Sequence, residues 1–273
     1  MPRHTTPFLR SCYAGLERET WLPITGSAPS TTRFGGQAAL LRDGEGWPMH
    51  DHMDGQPMSL VFQADTDSLP EAMRETFGGA GMVFQLFIPM GNDQNGYPRS
   101  WTIDRDDQSI AFFYDVRILR KSDHLIECTC PPAEGIDIPA VAPRFIGSWD
   151  RRVDFPFDHG GPYEEGLEEA HQRFDDAAGD LIDDLEYDEA KARIFHADDL
   201  DAEKDIEELT NEWGTKIGGW PSLEQGPQGV DERLPHILQI CGDDEIGDEV
   251  SFDGHGWLCR GPEGQWIWYT VTS

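Results

Sequence analysis

The sequence predicts an α+β protein that is rich in β-structure and consists of two similar β-rich halves with an acidic helical segment between them. Three observations lead to this prediction: aromatic and β-branched runs before residue 150 and after residue 213, apolar residues at helical spacing between them, and blocks of sequence that recur. We expect the 273 residues to form a single compact unit (1–273), with the first half at 31–150, the helical insert at 163–212 and the second half at 213–273.

The first half contains four runs that are typical of strands, because aromatic and β-branched residues are bounded there by Gly, Pro and Asp clusters. The runs are Val61–Ala64, Met82–Ile88, Ile110–Leu119 and Leu125–Cys128. The Pro-rich stretch 131–143 predicts an extended connection. In the second half, the run that begins at Trp266 predicts a closing strand.

Between residues 163 and 212 the pattern changes to helical spacing. Apolar residues recur there every three or four positions and define one face of an amphipathic helix: Leu167, Ala170, Phe174, Ala177, Ala178, Leu181 and Leu185. A second helix is expected around Ile206, Leu209 and Trp213, with its end at Gly214. This stretch holds 20 acidic and 4 basic residues, which is a net charge of −16 out of −31 for the whole chain.

The net charge of −31 argues against nucleic acid and anionic membrane surfaces as partners, because both are bound through Lys and Arg. A basic protein is the partner that this charge favours. The sequence has no apolar run of about 18 residues and no apolar leader at its start, so we expect neither a membrane helix nor a secretory signal. Five cysteines without a disulfide spacing favour the cytoplasm.

Three short blocks recur in the same order along the chain. A basic–apolar–Gly-Gly block, a strand that ends in Gln, and a Gly-x-Gly strand entry each occur twice: Arg33–Leu40 and Lys216–Leu223, Val61–Gln63 and Ile237–Gln239, Gly79–Phe84 and Gly254–Cys259. The Gly pairs predict structural turns with positive φ or close backbone approach, at Gly35, Gly36, Gly218 and Gly219.

Several of these stretches resemble the YwqG-like family of bacterial proteins of unknown function. They are Trp213–Pro221, Leu234–Ile240, Thr32–Gly36, Trp47–Pro48 and Pro57–Gln63, and the resemblance spans about residues 30–270. The resemblance implies a compact β-rich α+β domain. Some members of that family act as immunity proteins in bacterial toxin systems, so it also implies a role of that kind. It supplies no catalytic residues. Ala38 departs from the family pattern, which usually has Pro at that position.

We find no recognisable catalytic constellation and therefore assign no catalytic residue and no cofactor. The sequence has neither a G-x-S-x-G elbow nor a phosphate-binding Gly-rich loop. His50 and His52, two residues apart beside Asp51 and Asp54, are weak candidates for metal ligands, because no third ligand is marked.

The function predicted from the sequence is that of a cytoplasmic acidic binding protein, an immunity protein that neutralises a cognate toxin by direct binding and occlusion. Carboxylates of the helical insert would steer the basic partner, and Trp220, unless it packs into the core, would be an interface anchor. The steering residues are Glu164, Glu165, Glu168, Asp175, Asp176, Asp183 and Asp184. Two alternatives stay open: a metal-dependent or other enzyme with its site near His50, and a salt-adapted protein whose acidity only solvates it.

Overall fold

The computed structural model describes residues 6–50, 55–89, 101–103, 110–132, 142–156, 166–195, 214–222, 234–242 and 255–271. The helices in these ranges are α1 (Pro7–Cys12), α2 (Glu71–Arg74), α3 (Leu167–Asp184) and α4 (Tyr187–Ile194). The strands are β1 (Arg18–Thr25), β2 (Arg33–Phe34), β3 (Ala38–Arg42), β4 (Met49–His50), β5 (Gln56–Pro57), β6 (Ser59–Asp65), β7 (Met82–Ile88), β8 (Trp101–Ile103), β9 (Ile110–Phe112), β10 (Asp115–Arg120), β11 (Leu125–Thr129), β12 (Arg144–Asp154), β13 (Lys216–Gly218), β14 (His236–Cys241), β15 (His255–Arg260) and β16 (Trp266–Val271).

Ten of these strands form one sheet in the order β10-β7-β6-β2-β12-β1-β13-β14-β15-β16, and every neighbouring pair is antiparallel. The centre is occupied by β12 and β1, which pair along their length from Arg18 opposite Asp154 to Thr25 opposite Ile146. The predicted β-rich character is therefore confirmed. The sequence runs at β6, β7, β11 and β16 are strands, whereas the run 110–119 divides into β9 and β10, which belong to different sheets.

The main core lies against one large sheet whose two ends approach each other. Phe62 and Phe84 from one end share a buried cluster with Leu258 and Trp268 from the other. At the closing point the Trp266 ring lies 5.1 Å from that of Phe84 and the Tyr114 hydroxyl donates to the Trp266 carbonyl at 2.7 Å. These contacts leave the sheet nearly closed, because its first and last strands meet across the core.

A second apolar cluster holds the three longer helices of the described residues against the sheet centre. Leu167, Ala170, Phe174 and Ala178 are buried, so the predicted apolar face of α3 is confirmed. Ala170, Phe174 and Ala178 pack with α1, α4 and Phe155, which follows β12. The helix expected around residues 206–213 lies outside the described residues, as does most of the stretch 131–143. In the described ranges no helix has the length and apolar composition needed to cross a membrane.

Candidate functional site

Helix α3 presents a row of carboxylates away from the protein. Its seven acidic residues are all exposed, and they are Glu168, Glu169, Asp175, Asp176, Asp180, Asp183 and Asp184. The following helix, α4, adds exposed Asp188 and Glu189. We call these nine carboxylates the acidic face. The face follows from the sequence pattern, because the apolar stripe is turned to the core and the remaining positions of the helix are largely acidic.

Helices α3 and α4 contain three basic residues, Arg173, Lys191 and Arg193, against the nine carboxylates of the acidic face. Arg173 donates from its guanidinium to the Cys12 carbonyl at 2.9 Å, so it is turned toward α1. Lys191 is buried, and Arg193 lies 3.9 Å from Glu189 in an exposed pair. Exposed pairs of this kind contribute at most about 1 kcal/mol. Nine carboxylates against three basic residues leave the two helices with an excess of negative charge.

Two apolar side chains are exposed where α3 passes into α4. Ile182 is 40% exposed and Tyr187 is 41% exposed, and Asp183 and Asp184 stand directly beside Ile182 in the sequence. Protein interfaces often combine large exposed apolar groups with charges. The charges steer the partner's approach, and the apolar groups then form the contact. Sequence reasoning missed both residues. The available signal was that Ile182 falls off the apolar stripe of the helix that bears it.

The sequence of α3 is unfavourable for an isolated helix at its C-terminal end. Asp183 and Asp184 lie in the last turn, which contains no basic residue, and a helix C-terminus carries partial negative charge. Asp180 also stands four residues before Asp184, and like charges at that spacing repel. The fold tolerates this arrangement because the opposite side of the helix is buried.

The structure corrects one predicted partner-binding residue. Trp220 is only 1% exposed, so its side chain is not available as a surface anchor. Its indole N–H donates to the Leu16 carbonyl at 2.7 Å, and the Arg18 guanidinium lies 3.5 Å from the ring centre. The turn at Gly218 and Gly219 folds Trp220 back onto the segment around β1, which explains the burial. Of the other steering candidates, Glu164 and Glu165 lie outside the described residues.

The proposed histidine pair is only partly described. His50 is buried in β4 with its ring 4.5 Å from that of Phe113, whereas His52 lies outside the described residues. Among the residues that the structure describes, no three or more His, Cys, Asp or Glu side chains are grouped as metal ligands. A shared metal on the two histidines therefore remains a prediction from sequence.

A buried ion pair lies beside the second Gly-Gly block. Lys216 and Asp154 are both 0% exposed, and the ammonium is 2.9 Å from the carboxylate. The same carboxylate oxygen accepts from the backbone N–H of Trp220 at 2.8 Å. Gly219 has a φ of 75°, and a Cβ there would lie directly against Asp154 Oδ2. The pair has no exposed atom through which it could act on a ligand, so we assign it to the architecture.

The two Gly-Gly blocks have the predicted backbone conformation and matching polar contacts. Gly35, Gly36 and Gly218 have φ of 64°, 98° and 71°. Gln63 donates to the carbonyl of Thr31 at 3.0 Å, and Gln239 donates to that of Gly214 at 2.9 Å. Each carbonyl belongs to the residue two positions before the basic residue of its block. Each glutamine also stands opposite that basic residue, since Arg33 pairs with Gln63 and Lys216 pairs with Gln239.

Fold and surface together define the class: a β-rich protein with a nearly closed antiparallel sheet and an acidic helical face. The family model of a domain of unknown function, DUF1963, matches residues 32–256, and the chain belongs to that family. The match begins just before β2 and ends within β15, so it includes both Gly-Gly blocks and α3. No curated protein matches the chain.

Proposed function

We propose that this protein is an immunity protein that binds a basic toxin directly and occludes it. The observation that carries the proposal is the acidic face, in which the seven carboxylates of α3 are exposed and its one arginine is turned toward α1. Such a surface accelerates encounter with a positively charged partner, and the effect weakens as salt rises.

The same face has the parts needed to hold a partner after it arrives. Charges mainly raise the association rate, whereas apolar contacts that exclude water slow dissociation. Ile182 and Tyr187 supply exposed apolar surface among the carboxylates. The buried side of α3 is packed against Tyr13 and Phe155, so the helix needs little reorganisation on binding.

We further infer that the chain consists of two related halves. In the sheet, β2, β6, β7 and β10 follow one another on one side of β12 and β1, and β13, β14, β15 and β16 do so on the other. The matching contacts of Gln63 and Gln239 support this relationship. A YwqG-like identity within the family rests on the same blocks. Cytoplasmic action is supported by five cysteines that are all free thiols.

The test begins by isolating the partner and continues with binding kinetics. A tagged chain, expressed in its native host, is used to capture proteins at moderate salt, and any basic protein that co-purifies in a fixed ratio is cloned. We expect this protein to be toxic when it is expressed alone and harmless when it is co-expressed with the chain. A captured protein that is harmless alone would contradict the immunity role.

A charge-matched pair of variants then tests the acidic face. In one variant Asp175, Asp176, Asp183 and Asp184 become Asn; in the control, Asp43→Asn, Glu71→Gln, Glu75→Gln and Glu263→Gln remove the same charge from other exposed sites. We expect at least a tenfold slower association for the first variant at low salt and a much smaller change for the control. Equal rates for the two variants would exclude this face as the docking surface.

A further inference from the structure

A pocket of about 600 Å³ lies between the β4–β5 hairpin and the segment that joins β9 to β10. Its walls include four aromatic rings and one pair of opposite charges, which are Trp47, Phe112, Phe113, Tyr114, Asp115 and Arg117. The volume is that of a typical small-molecule site, which is about 300–1,000 Å³. The pocket is unrelated to the acidic face, because no residue of α3 or α4 lines it.

The polar atoms of the two larger rings are already engaged with the protein backbone. The Trp47 indole N–H donates to the Met58 carbonyl at 2.7 Å, and the Tyr114 hydroxyl donates to the Trp266 carbonyl at 2.7 Å. The Trp47 ring also meets Phe87 edge to face, with 5.5 Å between the centroids. These contacts fix the rings before a ligand arrives, and they leave ring surface rather than hydrogen-bond donors for recognition.

The charges beside the pocket favour a cation. Arg117 donates to Asp115 at 2.7 Å and to Glu45 at 3.1 Å. Arg42 lies 3.8 Å from the same Glu45 and donates to Asp123 at 2.9 Å, so three carboxylates share two guanidinium groups and the network carries a net negative charge. The whole chain, at −31, adds to this negative potential. Aromatic faces are also negative and attract cations. An anionic ligand would meet repulsion from both sources.

We propose that this pocket binds a small molecule that carries an alkylated ammonium group. Such a group has a positive charge and an apolar surface, and a quaternary nitrogen has no N–H that would need an acceptor. It therefore matches a lining that consists mainly of ring surface and includes the Asp115 carboxylate. This site does not depend on the immunity role, and either proposal can fail alone.

The test compares three probes of nearly the same shape that differ in charge. Choline, its uncharged carbon analogue 3,3-dimethylbutan-1-ol and the anion 3,3-dimethylbutanoate are each titrated into the full chain by calorimetry at low ionic strength. We expect choline to bind saturably and about tenfold more tightly than the alcohol, with the anion weakest. If the alcohol or the anion binds as tightly as choline, or if no probe binds, the proposal is wrong.

Variants locate the choline site. Phe113→Leu removes a ring and Asp115→Asn removes a charge, while Glu71→Gln is the control because it removes one charge from an exposed residue of α2 that does not line the pocket. We expect each of the first two to weaken choline binding about fivefold and the control to leave it unchanged. If circular dichroism shows that Phe113→Leu does not fold, the location of the choline site is judged from Asp115→Asn alone. Unchanged binding in Asp115→Asn, or an equal loss in the control, would overturn the assignment.

Discussion

The blocks at Arg33 and Lys216 have the same local structure, yet their charges have different surroundings. Lys216 and its partner Asp154 are both fully buried. Arg33 donates to the Ala38 carbonyl at 2.8 Å and lies 3.5 Å from Glu127, whose side chain is 62% exposed. Burial lowers the pKa of Arg33, and the nearby Glu127 charge opposes this shift. In the second block both members of the ion pair are therefore buried, whereas the first block pairs a buried guanidinium with an exposed carboxylate.

A recurring backbone motif therefore does not determine how much its side chains contribute to stability. A buried charge that loses its partner is costly, whereas an exposed partner can be replaced by water. The four predictions below use this contrast, and they run from the largest expected change in stability to the smallest.

Removal of the buried partner should have the largest effect. We expect Asp154→Ala to lower the free energy of unfolding by about 3–5 kcal/mol, because the buried Lys216 ammonium loses its carboxylate partner. Glu127→Ala, the equivalent change at the surface, should lower it by less than about 1 kcal/mol. Urea titration of both variants measures the difference, and similar losses would contradict the contrast.

The second glycine of each block provides the next comparison. A Cβ on Gly219 would meet Asp154 Oδ2 and would lie 2.8 Å from Thr20 Cβ, whereas a Cβ on Gly36 would meet Pro143 at 3.2 Å. Both residues have positive φ, which disfavours alanine. We expect a loss of about 2–4 kcal/mol for Gly219→Ala and about 1–2 kcal/mol for Gly36→Ala. Thermal and urea unfolding measure both losses, and a larger loss of stability for Gly36→Ala than for Gly219→Ala would contradict the prediction.

His236 adds a pH dependence to the second block that the first block lacks. The pKa of His236 is lowered to about 3, chiefly by burial and then by the positive charges of Lys216 and Arg18. In the first block, the corresponding strand position is occupied by Leu60. An unfolded histidine has a pKa near 6.5, so between pH 6.5 and 3 unfolding takes up a proton, and stability falls as the pH falls.

His236→Leu makes the second block resemble the first and should remove this dependence. We expect the stability lost between pH 7.5 and 5.5 to shrink by about 1.4 kcal/mol in this variant. Urea unfolding at the two pH values gives the number, and replacement of the exposed His124 by Leu is the control. An unchanged pH dependence in His236→Leu would mean that His236 is not kept neutral by the fold.

Helix α3 differs from both blocks, because seven carboxylates are exposed along one helix. We expect replacement of Asp183 and Asp184 by Asn to raise the free energy of unfolding by about 0.5–1 kcal/mol, because negative charge at the helix C-terminus is removed. The thermal midpoint should rise by a few degrees or less. A loss of stability would indicate that these carboxylates serve the fold and not a partner.

Much of the fold could be predicted from local patterns, but the centre of the sheet could not. The strands β6, β7 and β16 are apolar and aromatic, and α3 has a clear apolar stripe, so their sequences specify their structures. The central strands are different. Pro23 interrupts β1, so β1 lacks a typical strand pattern. The same holds for β12, which contains five charged residues: Arg144, Asp150, Arg151, Arg152 and Asp154. Their structure depends on pairing with each other.

The candidate sites divide in the same way. The acidic face follows from composition and helical spacing, both of which are local. The pocket needs Trp47 and Tyr114 to be brought together from distant parts of the chain, so no sequence window contains it. The burial of Trp220 could not be predicted for the same reason, because it depends on contacts with Leu16 and Arg18 some 200 residues earlier in the chain.

The position of β1 in the sheet has a consequence for protein synthesis. One edge of β1 pairs with β12, and the other edge pairs with β13, where Ile217 lies opposite Trp21. Strand β13 is synthesised much later than β1. Ribosomes add about 5–20 residues per second, so for roughly 10–40 s this edge emerges without its partner. An unpaired strand edge is a site of aggregation, which makes the nascent chain a natural client of chaperones during that interval.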